Sequence, residues 1–549
     1  MSERPIRDTP FVKPAAPAPS PAPANVPTDC DVLVVGGGIN GAGIARDLAG
    51  RGLRIVLCEK DDLAAHTSSS STKLIHGGLR YLEYYEFALV RKALAERELL
   101  LKSAPHIMWP LRFVMPHDQS MRPVWMVRAG LFLYDHLAKR EVLPGSRTID
   151  LCTHAAGAPL KKNFRKGFVY SDGWVDDARL VVLNAMDAAE HGATVLTRCA
   201  CIDARRGPTQ WQMTLRGADG AARHISARAL VNAAGPWAAQ FLAEHAHAPK
   251  AKSVRLVKGS HIVVRKLFEH DHAYIFQNPD KRIIFAIPYE RDFTLIGTTD
   301  VEHDSAIGAP RIAPGEIDYL CEQASRYFEQ PVLPSHVVWS YSGVRPLLDD
   351  ESGDPSAVTR DYALELDTGS GVAAAPLLTV WGGKITTFRK LAEETADLLA
   401  ASLGTSRGAW TRSAFLPGGD LSAWIGAAQR PDTDFTRFVQ ALMLRHPQLP
   451  EALCLRLARG YGTRVETLLA DGALGAEVAP GLFEAELHYL HTHEWARTAD
   501  DVLWRRTKLG LHLSAAECAA VAAWCAVHWP ALAGTVDAVP AQAKEIAWT

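Results

Sequence analysis

A glycine-rich turn carries the clearest chemical signal in the sequence. Gly36, Gly38 and Gly41 have the spacing G-x-G-x-x-G and follow the β-branched run DVLVV. The first glycine permits a tight turn, the second lets the backbone approach a pyrophosphate, and the third lets the next helix pack on the strand. That helix, from Ile39 and Asn40 onward, would direct its free N–H groups and positive dipole end at the phosphates.

An acidic residue lies where this type of turn needs one. Glu59, followed by Lys60, ends the second predicted strand, RIVLCEK, roughly 20 residues after the turn. A carboxylate there accepts hydrogen bonds from ribose hydroxyls and disfavours a 2′-phosphate, which argues against NADP. The strand, the helix and the acid together predict a dinucleotide-binding βαβ unit.

The segment TSSSSTKLIHGGLRYLE, residues 67–83, bears on whether the dinucleotide is NAD or FAD. An NAD domain would usually continue with alternating strands and helices. Small hydroxyl side chains such as Ser70 and Ser71, followed by Gly77 and Gly78, suit a loop laid against an extended cofactor such as FAD. Solvated serines would give the same composition, so these residues alone leave both interpretations open.

The elements around the turn predict several domains. With 549 residues, 48% of them apolar, the chain is expected to form two to four domains at roughly 150 residues each. Residues 1–27 are rich in Pro and Ala and predict a disordered tail. Residues 28–400 would hold the cofactor domain, interleaved with antiparallel substrate-domain strands at about 105–170 and 255–340. Helical patterns predict a separate domain over 405–545, with a capping box at Ser514 and Glu517.

Several classes of function receive no support from the composition. The net charge of −2 gives no global sign of nucleic-acid binding. The nine cysteines include no CxxC pair, which fits free thiols better than disulfides, and no spacing typical of a metal site is found. No apolar stretch reaches the roughly 20 residues that a membrane-spanning helix needs.

Longer motifs resemble one family, the FAD-dependent glycerol-3-phosphate dehydrogenases, within the broader group that includes D-amino-acid oxidase. The matching segments are DVLVVGGGINGAGIARDLAGRG, STKLIHGGLRYLE, AERELLLKSAPH, VNAAGPWA, KGSHIVV, SGVRPLLDDES, TRDY and WGGKITTFRKLAE. The resemblance covers nearly all of the chain from residue 29. It implies an α/β fold: a Rossmann-like FAD-binding domain of the D-amino-acid-oxidase type, an antiparallel-sheet substrate domain and a C-terminal all-helical domain.

The resemblance also implies how the motifs surround one FAD. The first βαβ unit would hold the ADP half, and the HGGLRY loop would lie near the isoalloxazine ring. Ala233 and Gly235, in VNAAGPWA, would approach the cofactor from a strand end. Gly383, Lys384 and Thr386 would set a helix N-terminus against the flavin, where it would stabilise negative charge on the reduced ring.

The substrate implied by the resemblance, glycerol 3-phosphate, is a dianion, and its site needs several cations. The family's substrate-contacting positions fall on Arg80, Tyr81, Arg345, Arg360 and Lys384. Arg389 is a weaker candidate, because it could equally be a charge on a helix surface. Without the resemblance, a surface salt bridge would be the commoner role for any of these arginines.

The expected chemistry is hydride transfer from C2 to the flavin N5, coupled to loss of the hydroxyl proton. That proton needs an acceptor, for which His76 and His261 are candidates. Each could instead be a hydrogen-bonded structural histidine. Arg345 could stabilise the developing alkoxide electrostatically. The expected product is dihydroxyacetone phosphate.

The resemblance further implies a cytoplasmic enzyme that lies peripherally on the inner face of the cytoplasmic membrane and passes electrons to a membrane quinone. Residues 107–140 mix Trp, Phe, Met and Leu with Arg and Lys, which suits an amphipathic segment in the membrane interface. The same residues could equally pack in the core of the substrate domain. A homodimer formed through the C-terminal helices is a further expectation.

Three other functions remain open at this stage. The protein could be a glycerophosphate oxidase that reacts with oxygen, since flavin-binding motifs do not separate the two acceptors. It could be a related amine or amino-acid oxidase, although a cationic cluster suits a phosphate better than a zwitterion. It could also be a non-catalytic flavin-binding regulator, against which the substrate-site arginines argue.

Overall fold

The computed structural model describes residues 26–118, 121–248, 254–280, 282–304, 307–308, 310–348, 361–369, 374–470 and 472–529. Most of the predicted tail, the substrate candidate Arg360 and the end of the helical segment therefore lie outside the described residues. The strands within these ranges are β1 (Asp29–Val35), β2 (Ile55–Cys58), β3 (Leu74–Ile75), β4 (Met108–His117), β5 (Arg147–Asp150), β6 (Lys166–Val175), β7 (Thr194–Leu196), β8 (Cys199–Arg206), β9 (Trp211–Gly217), β10 (Ala222–Asn232), β11 (Val254–Arg265), β12 (Ala273–Gln277), β13 (Ile283–Tyr289), β14 (Phe293–Gly297), β15 (Val301–Glu302), β16 (Val337–Leu348), β17 (Ala363–Asp367), β18 (Leu377–Trp381), β19 (Glu477–Ala479) and β20 (Leu482–Phe483).

The helices alternate with the strands in the first 400 residues and dominate after them. They are α1 (Ile39–Gly50), α2 (Phe87–Ser103), α3 (Val124–His136), α4 (Asp177–Glu190), α5 (Ala238–Glu244), α6 (Pro314–Ser325), α7 (Phe388–Leu403), α8 (Ser422–Ile425), α9 (Pro431–Arg445), α10 (Glu451–Tyr461), α11 (Val465–Leu468), α12 (Glu484–His493) and α13 (Ala515–His528).

The first sheet positions the glycine turn. Its strand order is β17-β18-β10-β1-β2-β7, with β8 and β9 extending it beside β10. β1 lies parallel to both β10 and β2, and it is buried over most of its length. A parallel strand covered on both faces needs apolar residues at consecutive positions, which is why DVLVV has no alternation. Helices α4 and α7 pack against α1, which starts directly after the turn.

The second sheet supplies the wall opposite the turn. Its order is β15-β11-β14-β13-β12-β4-β6-β3, with β16 on β11 and β5 on β6. Adjacent residues of one strand point to opposite faces, so Leu295 packs with Leu131 of α3 while Ile296 packs with Leu320 of α6. β13 and β14 are antiparallel neighbours joined by the tight turn Glu290–Asp292.

The C-terminal helices form a separate apolar cluster, in which Phe438, Leu457, Leu490 and Val521 are buried together. The predicted capping box is confirmed: Ser514 Oγ accepts from Glu517 N, and Glu517 Oε2 accepts from Ser514 N.

Residues 107–140 divide between the two roles expected for them. The first half is β4, an internal strand, and Trp109 is half-buried against Trp174 with 5.8 Å between ring centroids. Trp109 therefore packs against other side chains of the protein, as the core-packing interpretation predicts. The second half is α3, whose Trp125 is 69% exposed and Phe132 60% exposed. No helix among the described residues is long and apolar enough to cross a membrane.

Candidate active site

The glycine turn, the end of β10 and the start of β8 enclose a cavity of about 630 Å³, here called the first cavity. A volume between 300 and 1,000 Å³ is typical of sites for small molecules and cofactors. Nine of the predicted cofactor residues line it: Gly36, Gly38, Ile39, Asn40, Glu59, Lys60, Ala233, Gly235 and Gly383.

The backbone in the turn leaves no room for side chains. A Cβ at Gly36 would lie 2.5 Å from Ala233 O, and the φ of Gly36 is +111°, which L side chains rarely adopt. A Cβ at Gly41 would lie 1.9 Å from Gly36 O. Gly41 thus does not line the cavity; it allows α1 to begin immediately behind the turn.

Glu59 connects the end of β2 to the turn. Its Oε2 accepts a hydrogen bond from Gly37 N at 2.6 Å, and its Oε1 accepts one from Asp61 N at 2.8 Å. Burial raises the pKa of Glu59, and the hydrogen bonds from Asp61 and Gly37 act against that rise. Each oxygen keeps a lone pair for a hydroxyl donor from the cavity.

The serine run lies differently from the sequence prediction. Ser68 lines the first cavity and its Oγ accepts from Ile39 N at 3.0 Å. Ser70 packs against Gly343, and Ser71 Oγ donates to Asp177 at 2.7 Å; neither is among the residues that line the cavity. Four consecutive serines carry no sequence signal that separates one from the next.

A smaller cavity of about 100 Å³, here called the second cavity, lies beside the HGGLRY loop. His76, Gly78, Arg80 and Tyr81 contribute to its lining, together with Asp172 of β6 and with Thr298 and Asp300, which lie between β14 and β15. Lys384 Nζ lies 3.8 Å above the ring of Tyr81. Thr386 Oγ1 accepts from His76 N, which joins the loop to the GGKITT segment.

Arg345 lies in β16 between the two cavities. Its Nη1 is 2.5 Å from Asp300 Oδ1 and its Nη2 donates to Thr298 Oγ1 at 2.9 Å, while its neighbour Pro346 lines the first cavity. Gly259 leaves the space for the guanidinium, because a Cβ there would be 2.2 Å from Arg345 Nη2. Gly259 of the KGSH motif pairs with Gly343 of the SGVR motif across β11 and β16, so both motifs contribute to the position of Arg345.

His261 is buried next to Arg345 but is not among the residues that line the second cavity. Its ring stacks on Tyr341, its register partner, at 4.7 Å between centroids, and its Nε2 is 3.0 Å from Thr72 Oγ1. Burial, together with the charges of Arg345 and Lys73, holds the pKa of His261 well below the usual range. His261 is therefore a weak proton acceptor.

Together with Thr298 and Asp300, Asp172 is one of the polar residues of the second cavity that sequence reasoning missed. Its carboxylate accepts from Arg97 Nη1 at 2.6 Å and from Tyr134 OH at 2.7 Å, and Gly77 N donates to it at 3.3 Å. Burial raises the pKa of Asp172 against the opposing charge of Arg97. The Asp172 carboxylate thus fixes the backbone of Gly77 through this hydrogen bond. No local sequence motif around Asp172 predicts the contact.

Arg389 has a structural role. It is only 4% exposed, and its Nε and Nη2 donate to both oxygens of Glu96 at 2.7 and 2.6 Å. The interpretation of Arg389 as a helix-surface charge is wrong. Its guanidinium pairs with carboxylates of α2 and α7, and Arg389 does not line the second cavity.

Comparison with known protein families matches residues 31–387 to the FAD dependent oxidoreductases and residues 409–529 to the C-terminal domain of alpha-glycerophosphate oxidase. The chain is 53% identical to a glycerol-3-phosphate dehydrogenase of Pseudomonas aeruginosa over 88% of this chain and 92% of that protein. It is 51% identical to a D-erythritol 1-phosphate dehydrogenase of Brucella abortus over 91% of this chain and 98% of that protein.

Among solved structures, the chain is similar to the glycerol-3-phosphate dehydrogenase from Bacillus halodurans complexed with FAD. The TM-score is 0.72 at 28% identity, and the match covers 91% of this chain and 90% of that one. The predicted fold, with a cofactor domain of the D-amino-acid-oxidase type and a C-terminal helical domain, is confirmed.

FAD is the cofactor of this chain, and the first cavity fits it. The glycine turn has no side chains that would block close approach to its backbone, and the Glu59 carboxylate faces the cavity as a hydrogen-bond acceptor. Asn40 Nδ2 donates to Gly382 O at 3.1 Å, but the buried Oδ1 of Asn40 has no hydrogen-bond partner among the described residues. A buried acceptor without a donor is costly, and a bound cofactor would supply one.

Gly41→Ala is predicted to weaken FAD binding about 10- to 100-fold, because one methyl group displaces the turn and overpacking costs about 1–3 kcal/mol. Titration of apoprotein with FAD, followed by flavin fluorescence, measures the change. Gly460→Ala is the matched control, since this glycine also lies in a helix and an added Cβ meets nothing within 4 Å. Equal FAD affinity in the two variants would contradict the tight-packing explanation.

Proposed function

The chain belongs to the family of FAD-dependent glycerol-3-phosphate dehydrogenases, and from this we propose that it oxidises sn-glycerol 3-phosphate to dihydroxyacetone phosphate. The cationic cluster between the two cavities carries the proposal: Arg80, Arg345 and Lys384 lie within or beside the lining of the second cavity. FAD, when bound, accepts the hydride that leaves C2 of the substrate. The chain itself binds the phosphate, orients C2 and removes the hydroxyl proton.

Recognition of the phosphate is supported by three cations within or beside the second cavity, whose lining also holds the carboxylates of Asp172 and Asp300. Arg345 is fixed by Asp300 and Thr298, so its planar guanidinium is oriented before substrate arrives. Lys384 rests on the face of Tyr81, and Arg80 is half-buried on the same loop as Tyr81. A dianion would be stabilised by these three cations more than a zwitterion would. Arg360 stays a predicted substrate contact.

Proton removal is assigned to His76. His76 lines the second cavity, whereas His261 is buried behind it with its Nε2 directed at Thr72. A base must lie within hydrogen-bonding reach of the proton that it accepts, and general base catalysis contributes roughly 100- to 10,000-fold to the rate. The proposed role of His261 is structural: it bonds Thr72 through Nε2 and stacks on Tyr341.

His76→Gln is predicted to lower kcat about 100-fold or more and to remove the pH dependence of kcat/KM between about pH 5 and 8. His261→Gln is predicted to keep that pH dependence, because the pKa of His261 lies well below its usual range. If His261→Gln lost the decrease of kcat/KM at low pH while His76→Gln kept it, the two assignments would be reversed.

A second candidate substrate is D-erythritol 1-phosphate, which is favoured by the 51% identity to the Brucella abortus relative of that activity. Both substrates are polyol phosphates and need the same cations. The 53% identity to the glycerol-3-phosphate dehydrogenase of Pseudomonas aeruginosa favours the three-carbon substrate.

Anaerobic addition of glycerol 3-phosphate is predicted to bleach the flavin absorbance, and D-erythritol 1-phosphate is predicted to bleach it more slowly at equal concentration. Arg345→Met should slow bleaching about 100-fold or more, because one charge-assisted contact that strengthens in the transition state is lost. Leu444→Ser, at an exposed position on α9 that lines neither cavity, is the control. Faster bleaching by the tetritol phosphate would move the assignment to that substrate.

Peripheral attachment to a membrane surface and electron transfer to a quinone complete the proposal. An apolar patch supports it, formed by Tyr84, Tyr85, Phe87, Trp125, Met126, Phe132 and Leu133, all at least 38% exposed. The patch combines the outer side of α3 with the end of the HGGLRY loop, and Lys139 and Arg122 lie exposed near it. Aromatic side chains beside cations are typical of segments that lie in a membrane interface.

The double variant Trp125→Ser/Phe132→Ser is predicted to lower binding to quinone-containing liposomes by roughly tenfold or more, since each side chain would lose apolar burial. Leu444→Ser is the matched control, because Leu444 is 84% exposed but lies on α9 of the helical domain. Liposome cosedimentation measures binding. Unchanged binding of the double variant would contradict attachment through α3.

The electron acceptor and the oligomeric state are separable parts of the proposal. Quinone reduction without peroxide release is the expected outcome of turnover in air, and stoichiometric peroxide would assign oxygen as the acceptor. The homodimer through the C-terminal helices stays a prediction, which light scattering after size-exclusion chromatography tests.

A further inference from the structure

A buried charge network joins the C-terminal helices to the loop that follows Glu59. Arg506 Nη1 and Nη2 donate to the two oxygens of Asp62 at 2.8 and 2.9 Å. Arg505 Nε donates to Asp62 Oδ2 at 2.7 Å. The side chains of Asp62 and Arg506 are no more than 1% exposed. Two arginines from the helical domain therefore share one carboxylate of the cofactor domain.

The backbone of the helical domain is shaped for this contact. Asp501–Arg506 forms a π-helix, closed by a hydrogen bond from Thr507 N to Val502 O at 3.0 Å. The wide turn brings the consecutive residues Arg505 and Arg506 to the same carboxylate, and such turns are frequent at functional sites. Asp501 extends the network back to the first sheet, because both of its oxygens accept from Arg198 Nη2 at 2.7 and 2.8 Å.

Residues 59–64, here called the Glu59 loop, are bonded directly to the glycine turn. Glu59 Oε2 accepts from Gly37 N, and Ala64 N donates to Gly37 O at 3.1 Å. Arg198 N donates to Asp61 O at 2.8 Å, and Cys199 N donates to Glu59 O at 2.7 Å. Arg198 thus contacts the loop through its backbone and Asp62 belongs to the loop, and the side chains of both are bonded to side chains of the helical domain.

Burying the charged groups of this network costs desolvation free energy, yet the groups stay ionised. Burial alone would raise the pKa of Asp62, but Arg506, Arg505 and Arg198 hold it well below the usual range. An apolar contact would dock two domains at lower cost in desolvation. Directional hydrogen bonds, in contrast, fix the position of the loop to which they are made.

We propose that Arg506 and Arg505 are positioning residues of the FAD site: through Asp62 they hold the Glu59 loop so that the Glu59 carboxylate meets the ribose of the ADP half. The helical domain is thereby a functional part of the cofactor site. This role is independent of which polyol phosphate the enzyme oxidises.

The test is the affinity of purified apoprotein for FAD and for ADP. Arg506→Gln is expected to weaken both by about tenfold or more, the scale seen when residues that orient a binding group are removed from other sites. FAD binding is followed by quenching of flavin fluorescence and ADP binding by calorimetry. Equal losses for FAD and ADP place the defect at the ADP half, where Glu59 lies. Arg506→Lys, which keeps the charge, is expected to recover part of the affinity.

A matched control separates positioning from general stability. Arg464 also joins the helical domain to the cofactor domain, through Glu190 of α4, with both side chains 13% exposed. Arg464→Gln removes that ion pair without touching the Glu59 loop. It is expected to lower Tm and to leave the FAD and ADP affinities within about twofold of those of the native protein.

Each outcome either supports or overturns the proposed positioning role. Unchanged FAD affinity in folded Arg506→Gln overturns the proposal. The proposal is also overturned if Arg464→Gln loses as much FAD affinity as Arg506→Gln for the same decrease in Tm. If Arg506→Gln does not fold, Arg505→Gln decides, because it removes one hydrogen bond to Asp62 and leaves the two from Arg506. Unchanged FAD and ADP affinities in Arg505→Gln would then overturn the proposal.

Discussion

The close approach of the backbone at Gly36 and Gly41 is the constraint on which the rest of the structure depends. Gly36 lies against the end of β10, and α1 starts directly behind it at a distance that excludes any side chain. This packing brings the ends of three parallel strands, β1, β2 and β10, to one edge of the first sheet. The turn, Glu59 and Ala233 therefore meet at one cavity, as expected where parallel strands end.

The second sheet depends on this edge of the first sheet, because strands β11 and β16 of the second sheet carry the side chains that face the first sheet. Two glycines, Gly259 and Gly343, pair across these strands and leave space for Arg345 and for Ser70. Arg345 is then fixed by Asp300 and Thr298 at the wall of the smaller cavity. The proposed recognition of cofactor and substrate therefore uses different chemistry on neighbouring walls: backbone amides on one and side-chain cations on the other.

Buried charges hold the parts together. Arg97 and Tyr134 fix Asp172 behind Gly77, Arg389 pairs with Glu96, and Asp62 receives two arginines from the helical domain. Each pair must offset a desolvation cost, so its geometry is specific and its loss would leave an unpaired buried charge. The apolar clusters supply the stability of the separate layers, while these pairs fix how the layers meet around the two cavities.

Local sequence determined the elements whose conformation depends on near neighbours. The spacing of Gly36, Gly38 and Gly41, the apolar run before them and the acid at Glu59 specify a βαβ unit by themselves, and several long motifs specified the family. Only the tertiary structure decided which serine reaches the cavity, that Arg389 is paired with Glu96 and that Trp109 is half-buried against Trp174 while Trp125 is exposed. Those outcomes depend on contacts between residues far apart in the chain, and identical side chains in one run differ only in what the fold brings to them.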